Sequence, residues 1–282
     1  MTANNGEERD ETAVTGYARA TWRLIRDKAS DGAMNMAIDE AILRAVARKA
    51  APPTIRLYAW DPACLSLGRG QAVADVDLRA LRAVGYDLVR RPTGGRAILH
   101  IDELTYSVIV PQADARVAGS VVESYRRLSR GLVRALELLG VPNLAADERV
   151  EGQGDGGPVC FEAPSDYEIT TVGKKLVGSA QMRAQGVVLQ HGTMPLHGDI
   201  ARICRLLASH PDPVRVRARA TTVTRARGRA VTWAEAADAL ARAFEETLNL
   251  QLRLRQLDGE EHRGAMELLS EKYGTAGWTN TI

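Results

Sequence analysis

The chain has 282 residues, long enough for one large domain or two small ones with a sizeable buried core. Charged residues make up 26% and apolar residues 45%, ordinary for a soluble globular protein, and a formal net charge of +2 excludes a globally basic nucleic-acid binder. The three cysteines, Cys64, Cys160 and Cys204, are few and widely spaced with no CxxC pair, which argues against a zinc site or redox pair and fits a reducing compartment.

The chain begins MTANNGEERDETAVTGYA, a polar, acidic stretch without an apolar secretory core, and residues 1–20 read as a loose tail. No run of 18 apolar residues occurs, so no membrane span and a cytoplasmic location are expected. Apolar spacing predicts a helix over 34–47, with Met34, Ile38, Ala41, Ile42 and Ala45 on one face and Asp31 as its cap. Pro52-Pro53 stops it. Strands follow over 54–60 and 64–68 around Asp61-Pro62, then a short helix over 77–84 ending at Gly85.

A strand over 86–90 runs into the turn Pro92-Thr93-Gly94-Gly95, and strands over 97–101 and 104–110 come next. Ser120 and Glu123 form a capping box for a long helix with Val121, Tyr125, Leu128, Leu132, Ala135 and Leu139 inward. The breaker-rich stretch EGQGDGGP, 151–158, reads as a mobile loop, and Cys160 stands just after it. Strands are expected over 167–172, 175–181 and 187–196, and a helix over 199–208. A second capping box, Thr232 with Glu235, opens a helix that turns Trp233, Ala236, Leu240, Phe244 and Leu248 inward. A strand over 250–257 and a helix over 265–273 close the chain. Without regular βαβ alternation the fold class is α+β, with a mixed, largely antiparallel sheet flanked by helices. Residues 21–250 read as the main domain, with 251–282 packed on it.

Two stretches carry candidate chemistry. In RRPTGGRAILH, 90–100, a strand meets a Gly-Gly turn flanked by arginines. Glycines let a ligand approach the backbone, where N–H groups can hold an anion or a carbonyl oxygen. The same residues also suit an ordinary hairpin with surface arginines. No Walker loop is present. In GKKLVGSAQ, 173–181, followed by LQHGT, 189–193, a lysine opens an apolar strand beside Gly-Ser. Such a lysine is ordinarily a solvated charge; in a site it lowers a neighbouring thiol's pKa or steadies an oxyanion.

These stretches occur in order with NMAIDEA, 35–41, and SLGRGQ, 66–71. Together, over about residues 21–280, they resemble the lipoate/biotin protein ligase superfamily. ATP-using ligases of that superfamily carry a third glycine where Arg96 stands, and D-x-G-N where this chain has Ile101-Asp102-Glu103-Leu104-Thr105. With CFEAPSDYE at 160–168, the chain is most similar to the LipM-type octanoyltransferases. It departs from them at Asp166, usually aromatic, and at Ile101, usually aspartate, though Asp102 stands beside it.

The resemblance implies a biotin/lipoate ligase-like catalytic domain that moves an octanoyl group from octanoyl-acyl carrier protein to a lysine of a lipoyl-accepting protein, the glycine cleavage H protein. It implies Cys160 as thioester nucleophile and Lys175 as its assisting residue, with no metal or nucleotide. Arg91, Gly94, Gly95, His100, Gly178, Ser179, His191 and Gly192 are the expected substrate contacts, and the glycines of both turns are candidate oxyanion donors. Residues 97–99 and 187–189 are expected to line the acyl slot. His191 suits a general base or a hydrogen-bonded structural histidine. An amidotransferase between lipoyl-accepting proteins, an ATP-dependent ligase and a non-catalytic binding module stay open as alternatives.

The residues agree with the nucleophile. Cys160 stands among Glu162, Pro164 and Ser165, whereas Cys64 in ACLSL and Cys204 beside Ile203, Leu206 and Leu207 read as core. Lowering a thiol pKa from about 8.5 to about 7 raises its thiolate roughly 16-fold, but the lower basicity costs roughly 5-fold, so the net gain is only about 3-fold. Most of the acceleration therefore has to come from positioning and oxyanion donors. Six arginines, Arg215, Arg217, Arg219, Arg225, Arg227 and Arg229, form either a solvated basic face or a docking surface for an acidic carrier protein. No aromatic residues interleave them, which disfavours nucleic acid.

Overall fold

The central strand explains the layering. In β6 (Glu103–Pro111) every residue but the last is buried, so both faces of the strand must be covered. Leu104, Tyr106, Val108 and Val110 belong to one core and Ile109 to another, as period-two alternation requires. The computed structural model describes residues 16–148, 159 and 167–281. Among them the strands around β6 are β1 (Ala20–Arg26), β2 (Thr54–Tyr58), β7 (Leu144–Glu148), β8 (Tyr167–Thr171), β9 (Lys174–Ala184), β10 (Val187–Pro195) and β11 (Leu250–Leu254). They form an eight-stranded mixed sheet in the order β11-β1-β2-β6-β10-β9-β8-β7. β11, β1 and β2 run parallel, and the rest pair antiparallel.

On one face lie helices 121–138 and 233–248, which open on the two expected capping boxes. They cross closely: a Cβ on Gly131 would sit 2.5 Å from Phe244 Cδ1. Leu128, Leu132, Leu136, Leu240 and Phe244 are the core of this layer, each contributing about 1.5–3 kcal/mol by leaving water. On the other face lie α1 (Gly32–Ala47), whose Asp31 cap accepts from the Met34 N–H, and α2 (Gly259–Leu268). A smaller sheet, β4-β3-β5, combines β3 (Cys64–Leu67) with β4 (Asp87–Arg90) in parallel and β5 (Ile98–His100) antiparallel. No helix among the described residues is long and apolar enough to cross a membrane.

Several expectations change. The strand expected over 54–60 ends at Tyr58 and that over 64–68 at Leu67, and the two join different sheets. The helix expected over 199–208 is a 3₁₀ stretch, Ile200–Leu206. Val121, expected inward, is 49% exposed at the first position of its helix. β1 is charged at Arg23 and Arg26, which hides it from a sequence reading; Arg23 is nonetheless buried in its middle, forked onto Glu261 at 2.6 and 2.5 Å. The basic stretch holds two short helices, Pro213–Arg219 and Val223–Arg227.

Candidate active site

The two sheets meet at a cleft with about 370 Å³ of empty space. Met36 from α1, Tyr58 and Trp60 from the end of β2, and Ile98 from β5 supply its apolar walls. Of the expected contacts, Arg91, Gly95, His100, Gly178, Ser179, His191 and Gly192 all line it; Gly94 does not. The expected slot residues differ. Of 97–99 only Ile98 faces this cleft, and Val187 and Leu189 are core beneath α1. They share a face of β10 with His191 and Thr193, but α1 covers that face before it reaches the cleft.

The turn after β4 is held from within. Arg91, 2% exposed, donates through Nη1 to the Ser66 carbonyl at 2.9 Å and to Ser66 Oγ at 2.5 Å. Its Nη2 donates to the carbonyls of Gly94 and Arg96 at 3.1 and 3.0 Å, so one planar guanidinium fixes both sides of the turn. Gly95 takes φ +93°, where other residues are strained, and its carbonyl lies so near Gly68 that a Cβ there would be 2.0 Å away.

His100 continues the chain of contacts. Its Nε2 lies 2.6 Å from Ser66 Oγ and its Nδ1 2.7 Å from Glu103 Oε1, while Trp60 stacks on its ring at 4.0 Å. Glu103 also accepts from the hydroxyls of Thr105 and Thr193. Ser66 Oγ thus meets both Arg91 and His100, and His100 links it to Glu103. Trp60 is pinned by its own bond to Thr105 Oγ1 at 2.7 Å.

His191 is tied likewise. Its Nε2 lies 2.7 Å from Thr93 Oγ1 and its Nδ1 3.5 Å from Asp39 Oδ2. Burial pushes the imidazole pKa down, against the pull of Asp39, so the ring is neutral. Burial would raise the Asp39 carboxyl, but the His191 bond and the Arg56 guanidinium at 3.0 Å hold it below the usual range. Nδ1–H therefore donates to Asp39, and Nε2 accepts from Thr93. With both nitrogens engaged, the ring's geometry is that of a hydrogen-bonded anchor for the turn.

The opposite wall is made by β9 and β10. A Cβ on Gly192 would meet the Gly178 carbonyl and Ser179 Oγ, each at 2.6 Å, so only glycine lets the strands close here. Ser179 Oγ lies 2.7 Å from the Tyr106 hydroxyl, which also accepts from Gln190 Nε2 at 3.0 Å. Burial raises the Tyr106 pKa to about 12, so this phenol stays protonated.

Lys175 opens β9 outside the cleft lining. It is 4% exposed, and its Nζ lies 3.1 Å from Glu168 Oε1. Lys174, on the other strand face, is partly exposed and donates to the Arg217 carbonyl at 3.0 Å. Lys175 also bridges Ala220, which brings the end of the Pro213–Arg219 helix to the start of β9. Cys160 lies outside the described residues. Its chain neighbour Val159 is described: it is 1% exposed and pairs in parallel with Ala97, at the end of the RRPTGGRA stretch. Cys64 is wholly buried, and burial pushes its thiol well above the usual range; Cys204 is buried under the small sheet.

Sequence reasoning missed Asp39, Ser66, Thr93 and Glu103 as site residues although all four lie inside or beside the quoted motifs. Asp39 and Glu103 carry a signal, an acidic residue within an otherwise apolar helix or strand face; Ser66 and Thr93 carry none. The arrangement presents an apolar slot that ends at polar donors and glycine backbone, which suits an acyl chain with its carbonyl at the polar end.

The model of the lipoyl protein ligase A/B catalytic domain matches residues 31–245. Octanoyltransferase LipM of Symbiobacterium thermophilum is 43% identical over 91% of this chain and 97% of its own length. Octanoyltransferase LipM of Kyrpidia tusciae is 44% identical over 92% and 98%. Among solved structures, the bipartite lipoate protein ligase of Thermoplasma acidophilum superposes with a TM-score of 0.75 at 27% identity, covering 94% of this chain and 98% of that one. The chain is an enzyme that belongs to the lipoyl protein ligase A/B catalytic-domain family and, within it, to the LipM octanoyltransferases.

Proposed function

We propose that this enzyme takes an octanoyl group from octanoyl-acyl carrier protein and transfers it to a lysine of a lipoyl-accepting protein, the glycine cleavage H protein, through a thioester on Cys160. The thiolate of Cys160 attacks the donor carbonyl, and the carrier thiol leaves with a proton. The acceptor lysine amine then attacks the acyl-enzyme, Cys160 leaves as thiolate, and the amine loses its proton to yield the amide. The cytoplasm, where thiols stay reduced, is the assigned compartment.

One observation carries the reading: Val159, next in the chain to Cys160, is bridged to Ala97, whose neighbour Ile98 lines the cleft. Seven acyl carbons in that slot are worth roughly 5–6 kcal/mol before ordering costs. Lys175, buried at the start of β9, is the cation assigned to the thiolate and its oxyanion. The adjoining arginines suit an acidic carrier.

The test is intact mass after mixing the enzyme with octanoyl-carrier protein. The expected product is an enzyme heavier by one octanoyl group, labile to neutral hydroxylamine and discharged by the acceptor. Cys160→Ala should lose the adduct and lower transfer by roughly three orders of magnitude or more. Cys64→Ala and Cys204→Ala should keep activity apart from stability losses. ATP-dependent attachment of free lipoate with no adduct on Cys160 would establish a ligase instead.

A further inference from the structure

Arg90 is buried to 1% exposure immediately before the site turn, and its contacts reach the far end of the chain. Its Nη1 donates to three backbone carbonyls, Gly68 at 3.0 Å, Arg69 at 3.1 Å and Gln71 at 2.6 Å. Its Nε and Nη2 both donate to the Thr279 carbonyl, at 3.0 and 2.8 Å. In return the Trp278 indole N–H donates to the Arg90 carbonyl at 2.9 Å. No carboxylate pairs with Arg90 among the described residues, so these carbonyls are what compensates a guanidinium taken out of water.

The same segment grips the other anchor of the turn. Lys272 Nζ and the Tyr273 hydroxyl meet Glu40 Oε2 at 2.6 and 2.5 Å, and Glu40 follows Asp39, the residue that holds His191 and through it Thr93. Tyr273 packs edge-on against Trp278 with centroids 5.7 Å apart, and Lys272 lies over the Trp278 ring at 4.2 Å. Residues 272–279 thus touch both supports of the turn at 91–96, one through Arg90 and one through α1.

We propose that Trp278 and the Thr279 carbonyl, acting through Arg90, are positioning elements of the acyl site: they fix where the Gly68–Gln71 loop and the Gly-Gly turn stand relative to each other. The kinetic part of this inference rests on the octanoyl-transfer reading; the geometric part does not. Two backbone bonds report on it directly, Arg69 N–H to the Thr93 carbonyl and Arg91 N–H to the Leu67 carbonyl, both 2.8 Å.

The experiment uses the full chain carrying Trp278→Phe, which keeps the ring and removes the donor, Arg90→Lys, which keeps the charge and loses the fork, and both together. Hydrogen exchange is read at Arg69 and Arg91, with Val108 in β6 as reference, and steady-state kinetics are taken with octanoyl-carrier protein. Expected is exchange at Arg69 and Arg91 about tenfold faster with Val108 unchanged, and KM for the donor raised about tenfold with kcat within about threefold. The double variant should be no worse than Arg90→Lys alone, because both act through one linkage. Unchanged exchange at Arg69 and Arg91 would overturn the proposal. So would faster exchange at all three amides with kcat falling and KM fixed, the pattern of a smaller folded fraction. If exchange changes as expected but the parent enzyme transfers no octanoyl group, the brace stands and the proposed reaction falls.

Discussion

Around the turn at Arg91–Arg96 the polar contacts run through buried groups, whereas around Lys174 and Lys175 they run out to a charged surface. Arg91, Ser66, His100, Glu103, His191 and Asp39 are all buried and bonded to one another or to backbone across four strands and α1. At the start of β9, Lys175 is buried but pairs with the partly exposed Glu168, and Lys174 reaches the carbonyl of exposed Arg217. The Arg217–Asp199 pair beside them has side chains 44% and 33% exposed. A buried polar network is costly to break and holds one geometry; an exposed one is screened and adjustable. Under the proposed function, the rigid side is the one that would hold the acyl group and the adjustable side the one that would meet protein partners.

The sharpest test of that division is at the two lysines. Period-two alternation puts Lys175 inward and Lys174 outward, so truncating them separates the buried cation from the surface one. Lys175→Ala should slow acylation by roughly a hundredfold in a single turnover, the scale of losing one oxyanion-stabilising group. Lys174→Ala should stay within about twofold. Equal losses would erase the distinction between the buried and exposed contacts of this edge.

On the rigid side, Thr93→Val removes the hydroxyl that donates to His191 Nε2 and leaves a buried acceptor unpaired. The expected cost is about 1–3 kcal/mol in urea unfolding, with Thr93→Ser recovering most of it. A raised KM for octanoyl-carrier protein should accompany the loss, because the turn is then less well held. A neutral Thr93→Val would mean that the His191 anchor contributes nothing to the turn.

How far the sequence could be read follows from the same division. The helices at 32–47, 121–138 and 233–248 were legible because apolar spacing and side-chain caps are local signals. The cleft residues on glycine-rich motifs were legible too, since Gly95 and Gly192 stand where a Cβ meets strain or another strand. The network behind them was not. Ser66 and Thr93 are unremarkable in a strand and a turn, and their role depends on His100 and His191, 34 and 98 residues away. β1 was hidden by Arg23, whose partner Glu261 is 238 residues distant. Val187 and Leu189, expected at the cleft, are core under α1, because alternation tells which face a residue takes but not which helix covers it.

The smallest expected effect lies on the exposed side and bears on the comparison through its sign as well as its size. The hydrogen bonds from Arg217, at 3.0 and 2.7 Å, outweigh burial and lower the Asp199 carboxyl to about 2. A depressed carboxylate favours the folded state above its unfolded pKa, and that contribution is lost as pH falls through the folded value. Wild type should therefore exceed Asp199→Asn in stability by a constant margin above about pH 4, narrowing below it and gone near pH 2. Because both partners are a third or more exposed, the margin at pH 7 should be under about 1 kcal/mol and should shrink further in 1 M salt. Urea midpoints of the two proteins between pH 7 and pH 3, at low and high salt, measure it. A margin of several kcal/mol that salt leaves unchanged would mean that this edge is built as tightly as the turn, and the assignment of the adjustable side to Lys174 and its neighbours would fail.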